Sequence, residues 1–305
     1  MKILYSIPPF FGVFIIFVSC LCPVFAGLPY EGHYLYTITM NIVAECDYPG
    51  SSQGVTTDGT YIYVSSSSEI YKYFKNGTLI SSVSNPDGGH WGDLCYANGK
   101  LYIAWCENAS EIPTISGVYV YNASNLAFIQ KYNITANAGA GTITYNPTNN
   151  HFYVGEACPG YTYYDHFREY DENFTLIASY VNDFRCGYGV NGLSYTHPRV
   201  DYRVSFLVTS HDTEFYFADS EFNVVGIGYA PFDKLQGVQW INDTHCLVAQ
   251  QLNDTVYTVT FSISNLNDSP EPSTYGYSQD LNQNLIPFIL SFAMMVICIK
   301  LLRGR

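Results

Sequence analysis

Charge is what this chain has least of. Only 13% of its 305 residues are Asp, Glu, Lys or Arg, while 48% are hydrophobic and 17% aromatic. A disordered, solvating chain needs the opposite balance, so the bulk of the sequence folds. Ala, Lys and Glu are too sparse for a helical protein. The abundant Tyr (29) and Phe (19), with Val, Thr and Ile, suit a pleated, half-buried surface, and an all-β body is expected. Positive charge is scarcer still. Lys2, Lys300, Arg303 and Arg305 sit in the terminal segments, which leaves nine basic against 26 acidic residues in the middle, a net of −17. Such a field repels phosphate backbones and excludes nucleic-acid partners. Familiar catalytic signatures are missing too: there is no Gly-x-Ser-x-Gly elbow, no phosphate-binding glycine loop and no His-Glu-x-x-His.

The ends address the chain to a membrane system. Lys2 precedes an apolar stretch from Ile3 to Phe25 that closes on Val24-Phe25-Ala26, so residues 1–26 read as a cleaved signal peptide. Leu285 to Leu302 is apolar except for Lys300, about the length that crosses a hydrocarbon core, and Arg303 and Arg305 follow it. This gives an ectodomain over 27–265, a linker over 266–284, a transmembrane helix over 285–302 and a cytoplasmic tail over 303–305. The expected topology is single-pass type I, in the plasma membrane or the secretory pathway, with the ectodomain outside or lumenal. A lipid-anchor signal is the alternative for the C-terminal segment, against which the terminal cations argue.

Glycosylation triplets and cysteines agree with export. Asn76, Asn108, Asn122, Asn133, Asn173, Asn242, Asn253 and Asn267 each head an Asn-x-Ser/Thr triplet, none inside either apolar end. Of nine cysteines, Cys46, Cys95, Cys106, Cys158, Cys186 and Cys246 fall in the ectodomain, an even number suited to an oxidising compartment. Their wide spacings fit no zinc motif. A disulfide between Cys158 and Cys186 is expected, stapling an aromatic insertion (Gly160-Tyr161-Thr162-Tyr163-Tyr164) to the body.

The chain also repeats itself. QGVTTDGTYIYVSSSSEIYKYFKNGTLI begins at Gln53, and related stretches begin at Trp91, Ala140, Asn191 and Gln236. Each is a short strand, a polar turn such as Asp58-Gly59 or Asn98-Gly99, and alternating strands such as Tyr61-Ile62-Tyr63-Val64. The marker glycines Gly54, Gly92, Gly141, Gly192 and Gly237 are 38, 49, 51 and 45 residues apart, the length of a four-stranded propeller blade. The fifth unit is one strand short, and the unassigned strand Tyr34 to Val43 is expected to complete it as its outer edge. Over residues 34–265 the sequence resembles five-bladed β-propellers, including the NHL and gluconolactonase-like repeats, and it is similar in blade count to the olfactomedin-like ring. The resemblance implies an architecture that hosts many functions.

A propeller sorts its loops onto two faces. Asn76, Asn122, Asn173 and Asn242 then fall in bottom turns, Asn133 on an outer strand, and only Asn108 and Asn253 in top loops. The barer top face is the candidate binding surface, with His90, Trp91, Asp93, Trp105, Glu107 and Tyr163 as its candidate residues. Gly88-Gly89-His90-Trp91-Gly92-Asp93 is the densest cluster. Its imidazole and carboxylate suit either blade-to-blade hydrogen bonding, as repeat stacking requires, or a Ca²⁺ or acid/base site. Two functions compete. One is a surface receptor or adhesion module that binds an extracellular protein or glycan without a cofactor. The other is a propeller hydrolase or lactonase with Ca²⁺ or carboxylates at the central channel.

Overall fold

The computed structural model describes residues 36–108, 115–136, 139–156, 165–182, 184, 189–196 and 203–265. The terminal segments 1–26, 266–284, 285–302 and 303–305, together with Tyr163, Cys158, Cys186 and Asn267, lie outside the described residues. Among those described there is no helix, and so none long and apolar enough to cross a membrane.

The chain is all-β and propeller-like. It opens with β1 (Tyr36–Asp47) and then makes three four-stranded antiparallel sheets in simple chain order. The first holds β2 (Gly54–Thr57), β3 (Tyr61–Ser65), β4 (Glu69–Phe74) and β5 (Leu79–Ser84). The second holds β6 (His90–Ala97), β7 (Lys100–Cys106), β8 (Ser116–Asn122) and β9 (Phe128–Ile134). The third holds β10 (Ala140–Asn146), β11 (His151–Glu156), β12 (Asp165–Tyr170) and β13 (Leu176–Asn182). The remaining strands are β14 (Gly192–Tyr195), β15 (Phe206–Thr209), β16 (Glu214–Ala218), β17 (Val224–Tyr229), β18 (Leu235–Trp240), β19 (His245–Gln250) and β20 (Thr255–Asn265).

These last seven join β1 in one eight-stranded sheet, ordered β14-β15-β16-β17-β1-β20-β19-β18. It divides into two four-stranded units. β1 pairs antiparallel with β20 from Tyr36↔Asn265 to Asp47↔Thr255, which places it as the outer strand of the last unit. Its first four residues also pair in parallel with β17, from Tyr36↔Gly226 to Thr39↔Tyr229. The N-terminal strand therefore completes the last unit, as the sequence suggested, and also closes the outer edge of the one before. The innermost strands touch in the order β2, β6, β10, β14, β18, and β18 returns to β2.

Side chains from one unit bond to the backbone of the next around this inner circle. The Thr56 hydroxyl accepts from Tyr96 N at 3.1 Å, the Thr144 hydroxyl from Tyr195 N at 2.9 Å and the Ser194 hydroxyl from Trp240 N at 3.0 Å. Thr56 also donates to Gln239 Oε1 at 3.2 Å, which closes the last junction. The register shifts in β6 and β10 insert one residue each, so the matching position in the second unit is Cys95, a buried thiol. Apolar burial follows the same junctions, and each hydrophobic cluster draws on two neighbouring units, as Tyr102 and Ala104 do with Phe152 and Val154.

The outer hairpins of the second, third and fourth units each carry a plug. Leu126, Phe174 and Phe222 occupy equivalent turn positions with φ of +56°, +60° and +62°, where a bulky residue is strained. Packing offsets the strain. Phe174 stacks on Phe152 and meets Tyr102 and Tyr132 of the preceding unit. Phe222 lies flat between Phe167, at 4.0 Å between ring centroids, and Phe206, at 4.2 Å. In the first unit the same position is Gly77, with φ +82° and no plug.

Candidate functional site

The densest sequence cluster divides on folding. Asp93 is fully buried at the centre of the inner circle. Its Oδ1 accepts from Leu94 N at 2.8 Å, and its Oδ2 from the Thr142 hydroxyl at 3.2 Å and Leu193 N at 3.3 Å. The Val55 N–H donates to it as well. A Cβ at Gly54 or Gly237 would collide with Oδ1, so those two marker glycines make room for the carboxyl. One side chain thus meets all five inner strands. Burial pushes its pKa well above the ordinary carboxylate value, against the pull of the four donors. Every neighbour named here is a donor, an arrangement that suits an anion and repels a cation.

His90 takes a different direction. Its Nε2 meets Gln53 Oε1 at 3.1 Å, and burial lowers its pKa below the ordinary imidazole value. Trp91 is fully buried, edge-on to Tyr119 and Tyr121, so it is a core residue and presents no ring to a ligand. Trp105 is also buried. Its Nε1 donates to Gly88 O at 2.8 Å, and the Lys131 ammonium lies 3.7 Å above its ring. Lys131 bonds Asp87 Oδ2 at 2.9 Å, and the Tyr119 hydroxyl bonds the same oxygen. The glycine-rich loop is thereby pinned to the second unit. Of the six candidates, Glu107 alone is both described and exposed.

Two further polar clusters carry no signal in the sequence. Lys72, buried on β4, donates to Ala123 O at 3.1 Å and Ser124 O at 2.8 Å and lies 4.1 Å over the Tyr61 ring, which fastens the first unit to the second. Glu169 on β12 accepts from His151 Nδ1 at 2.6 Å, Tyr153 at 2.8 Å and Tyr180 at 2.6 Å. Burial raises this carboxyl, but hydrogen bonds from Tyr180, His151 and Tyr153 outweigh it and leave the net shift downward. Residue type alone does not reveal that the faces of Lys72 and Glu169 are buried. A third pair, Arg168 with Glu156, is buried at 2.7 Å in the third unit.

No group of three or more His, Cys, Asp or Glu side chains suited to a metal occurs among the described residues. Cys95 and Cys246 are buried thiols, pushed to higher pKa by burial, and Cys46 is a partly buried thiol. The triplet asparagines Asn76, Asn173 and Asn242 are exposed in turns at one end of the ring, with half-buried Asn122 in a fourth. Asn253 and Asn108 lie at the opposite end, and Asn133 is exposed on β9.

No family model matches the sequence and no curated protein matches it. Solved structures share its general shape at low identity. They include Raptor from Chaetomium thermophilum (TM-score 0.42, 11% identity, 81% of this chain and 31% of that one). A protein of unknown function from Bacteroides caccae gives TM-score 0.46 and 15% identity over 65% of this chain and 70% of that one. The Dos1 propeller gives 0.39 and 11% over 68% and 67%. This chain spans about a third of the Raptor chain. All three scores fall below 0.5, and the fold assignment rests on the strand order above.

Proposed function

We propose that this chain is a single-pass type I surface or secretory-pathway glycoprotein, a five-bladed propeller that binds an extracellular protein or glycan on its top face. The blade count is supported by the cyclic contacts of the five inner strands and by β1 completing the last sheet. The single observation that carries the binding reading is the fate of Asp93. As the best-placed channel carboxylate it is committed to hydrogen-bond donors on four strands, where a Ca²⁺ site would need converging oxygen ligands. Recognition then falls to the top loops, Glu107 among them, because four triplet-bearing turns crowd the other end and bulky glycans there would block contact.

The test uses the full chain in a eukaryotic host. Glycosidase treatment should lower the apparent mass by several glycans, and a panel of immobilised glycans and surface proteins should retain the chain. Replacing Glu107 by Lys should weaken that retention, and a Lys in place of Ile80 near the bottom turns should not. An unchanged mass would overturn the export reading. Retention sensitive only to the bottom-end change would overturn the assignment of the face.

A further inference from the structure

The outer hairpins of four units are built alike, and the differences among them point to a role for the triplets. In the first, Phe74 N donates to Thr78 O and Gly77 N to Phe74 O. In the third, Asp171 N donates to Thr175 O and Phe174 N to Asp171 O. In the fourth, Asp219 N donates to Asn223 O and Phe222 N to Asp219 O. Asn76 and Asn173 thus hold the same turn position, immediately before the left-handed residue, and the fourth unit has Glu221 there with no triplet. The second unit closes with a turn one residue longer, Asn122 N to Ala127 O and Leu126 N to Asn122 O, and its triplet begins at Asn122, the last residue of β8.

An apolar pair follows each turn: Leu79-Ile80, Phe128-Ile129, Leu176-Ile177 and Val224-Val225. The first three pairs are 40–54% exposed, on outer strands β5, β9 and β13, whose far edges have no strand partner among the described residues. In the fourth unit Val225 is 8% exposed and packs in one cluster with Tyr36 and Ile38 of β1, which pairs along β17 from Gly226 onward. Among the four units with an outer hairpin, the turn carries a triplet before β5, β9 and β13, whose edges have no described partner, and lacks one before β17, along which β1 lies. Asn133 adds a triplet on β9 itself.

We propose that N-glycans at Asn76, Asn122 and Asn173 cover these open apolar edges and prevent a second copy of this chain from pairing there. The proposal rests on the exported, glycosylated reading above. An unpaired strand edge with exposed apolar side chains is a template for another chain, and β1 shows that a strand fits along such an edge here. A bulky, solvated glycan three residues before the outer strand at Asn76 and Asn173, and six before it at Asn122, blocks that approach.

The experiment compares full-length chains from a eukaryotic host by site-resolved mass spectrometry and by light scattering in mild detergent. Thr78→Ala, Ser124→Ala and Asn173→Gln together remove the three triplets, and Thr244→Ala, which removes the one at Asn242 on an inner hairpin, is the control. The triple variant should shift from one-chain mass to twofold or larger, the control should not, and adding Ile80→Lys, Ile129→Lys and Ile177→Lys should restore one-chain mass. If the triple variant fails to fold, the wild-type chain stripped by an endoglycosidase under native conditions should show the same shift. A stripped chain that stays at one-chain mass overturns this proposal and leaves the export reading intact. Glycans elsewhere but none at these three positions do the same. Glycans at no triplet overturn both.

Discussion

At the scale of single residues, the polar groups of the ring act through what they join. Replacing Asp93 by Asn turns one oxygen into a donor facing donors, and this should cost about 1–3 kcal/mol in urea or thermal unfolding. A neutral result would mean that the carboxyl bears no structural role. Glu169 has a folded pKa below its unfolded one, so its stabilisation is present above the ordinary carboxylate range and is lost as pH falls through the folded value. Glu169→Gln should cost about 1–3 kcal/mol at neutral pH and flatten the fall in melting temperature between about pH 5 and 3. A parallel acid profile in variant and wild type would remove Glu169 from that account. The Asp93 position was legible as a polar start to an inner strand. Lys72 was not, because its burial depends on carbonyls of the neighbouring sheet 51 and 52 residues away in sequence.

Elements show where pattern reading succeeds and where it stops. Turns announced themselves: Asp58-Gly59 and Asn98-Gly99 place residues at positive φ where the sequence put a hairpin. Alternating strands such as Tyr61–Ser65 were visible for the same reason. The one-residue insertions in β6 and β10 were not, since a bulge leaves residue types unchanged, and the one in β6 puts Cys95 where the first, third and fourth units have Thr or Ser. Cys95→Thr should therefore be tolerated or stabilising by up to about 1 kcal/mol, the scale of one added hydrogen bond. A loss beyond about 2 kcal/mol would show that the thiol is fitted to its site. Trp91 and Trp105 illustrate the opposite failure. Aromatic side chains near a turn look like a binding surface in one dimension, and neighbouring strands bury them. Phe222→Ala should cost about 3–5 kcal/mol, because it empties the slot between Phe167 and Phe206. Chemical denaturation of the variant measures this, and a loss below about 1 kcal/mol would mean that the plug is dispensable.

For the whole molecule, repeat length foretold the architecture and the missing strand foretold the closure, because a ring must cover its sheet edges. The sequence could not foretell that β1 would bond β17 as well as β20, a contact that depends on how two finished units face each other. Removing residues 36–47 should leave both edges open, and the truncated chain should aggregate. Unchanged solubility and melting temperature would contradict the closure. The buried charged and aromatic groups hold the ring together, which under the proposed function leaves recognition to the top loops. Thermal melts of the full chain with added Ca²⁺ and with chelator test this most directly. Coincident melting temperatures are expected, for wild type and for Asp93→Asn alike. A chelator-induced drop of more than about 4 °C, equivalent to roughly 1 kcal/mol or more in a domain of this size and reversed by Ca²⁺, would contradict it.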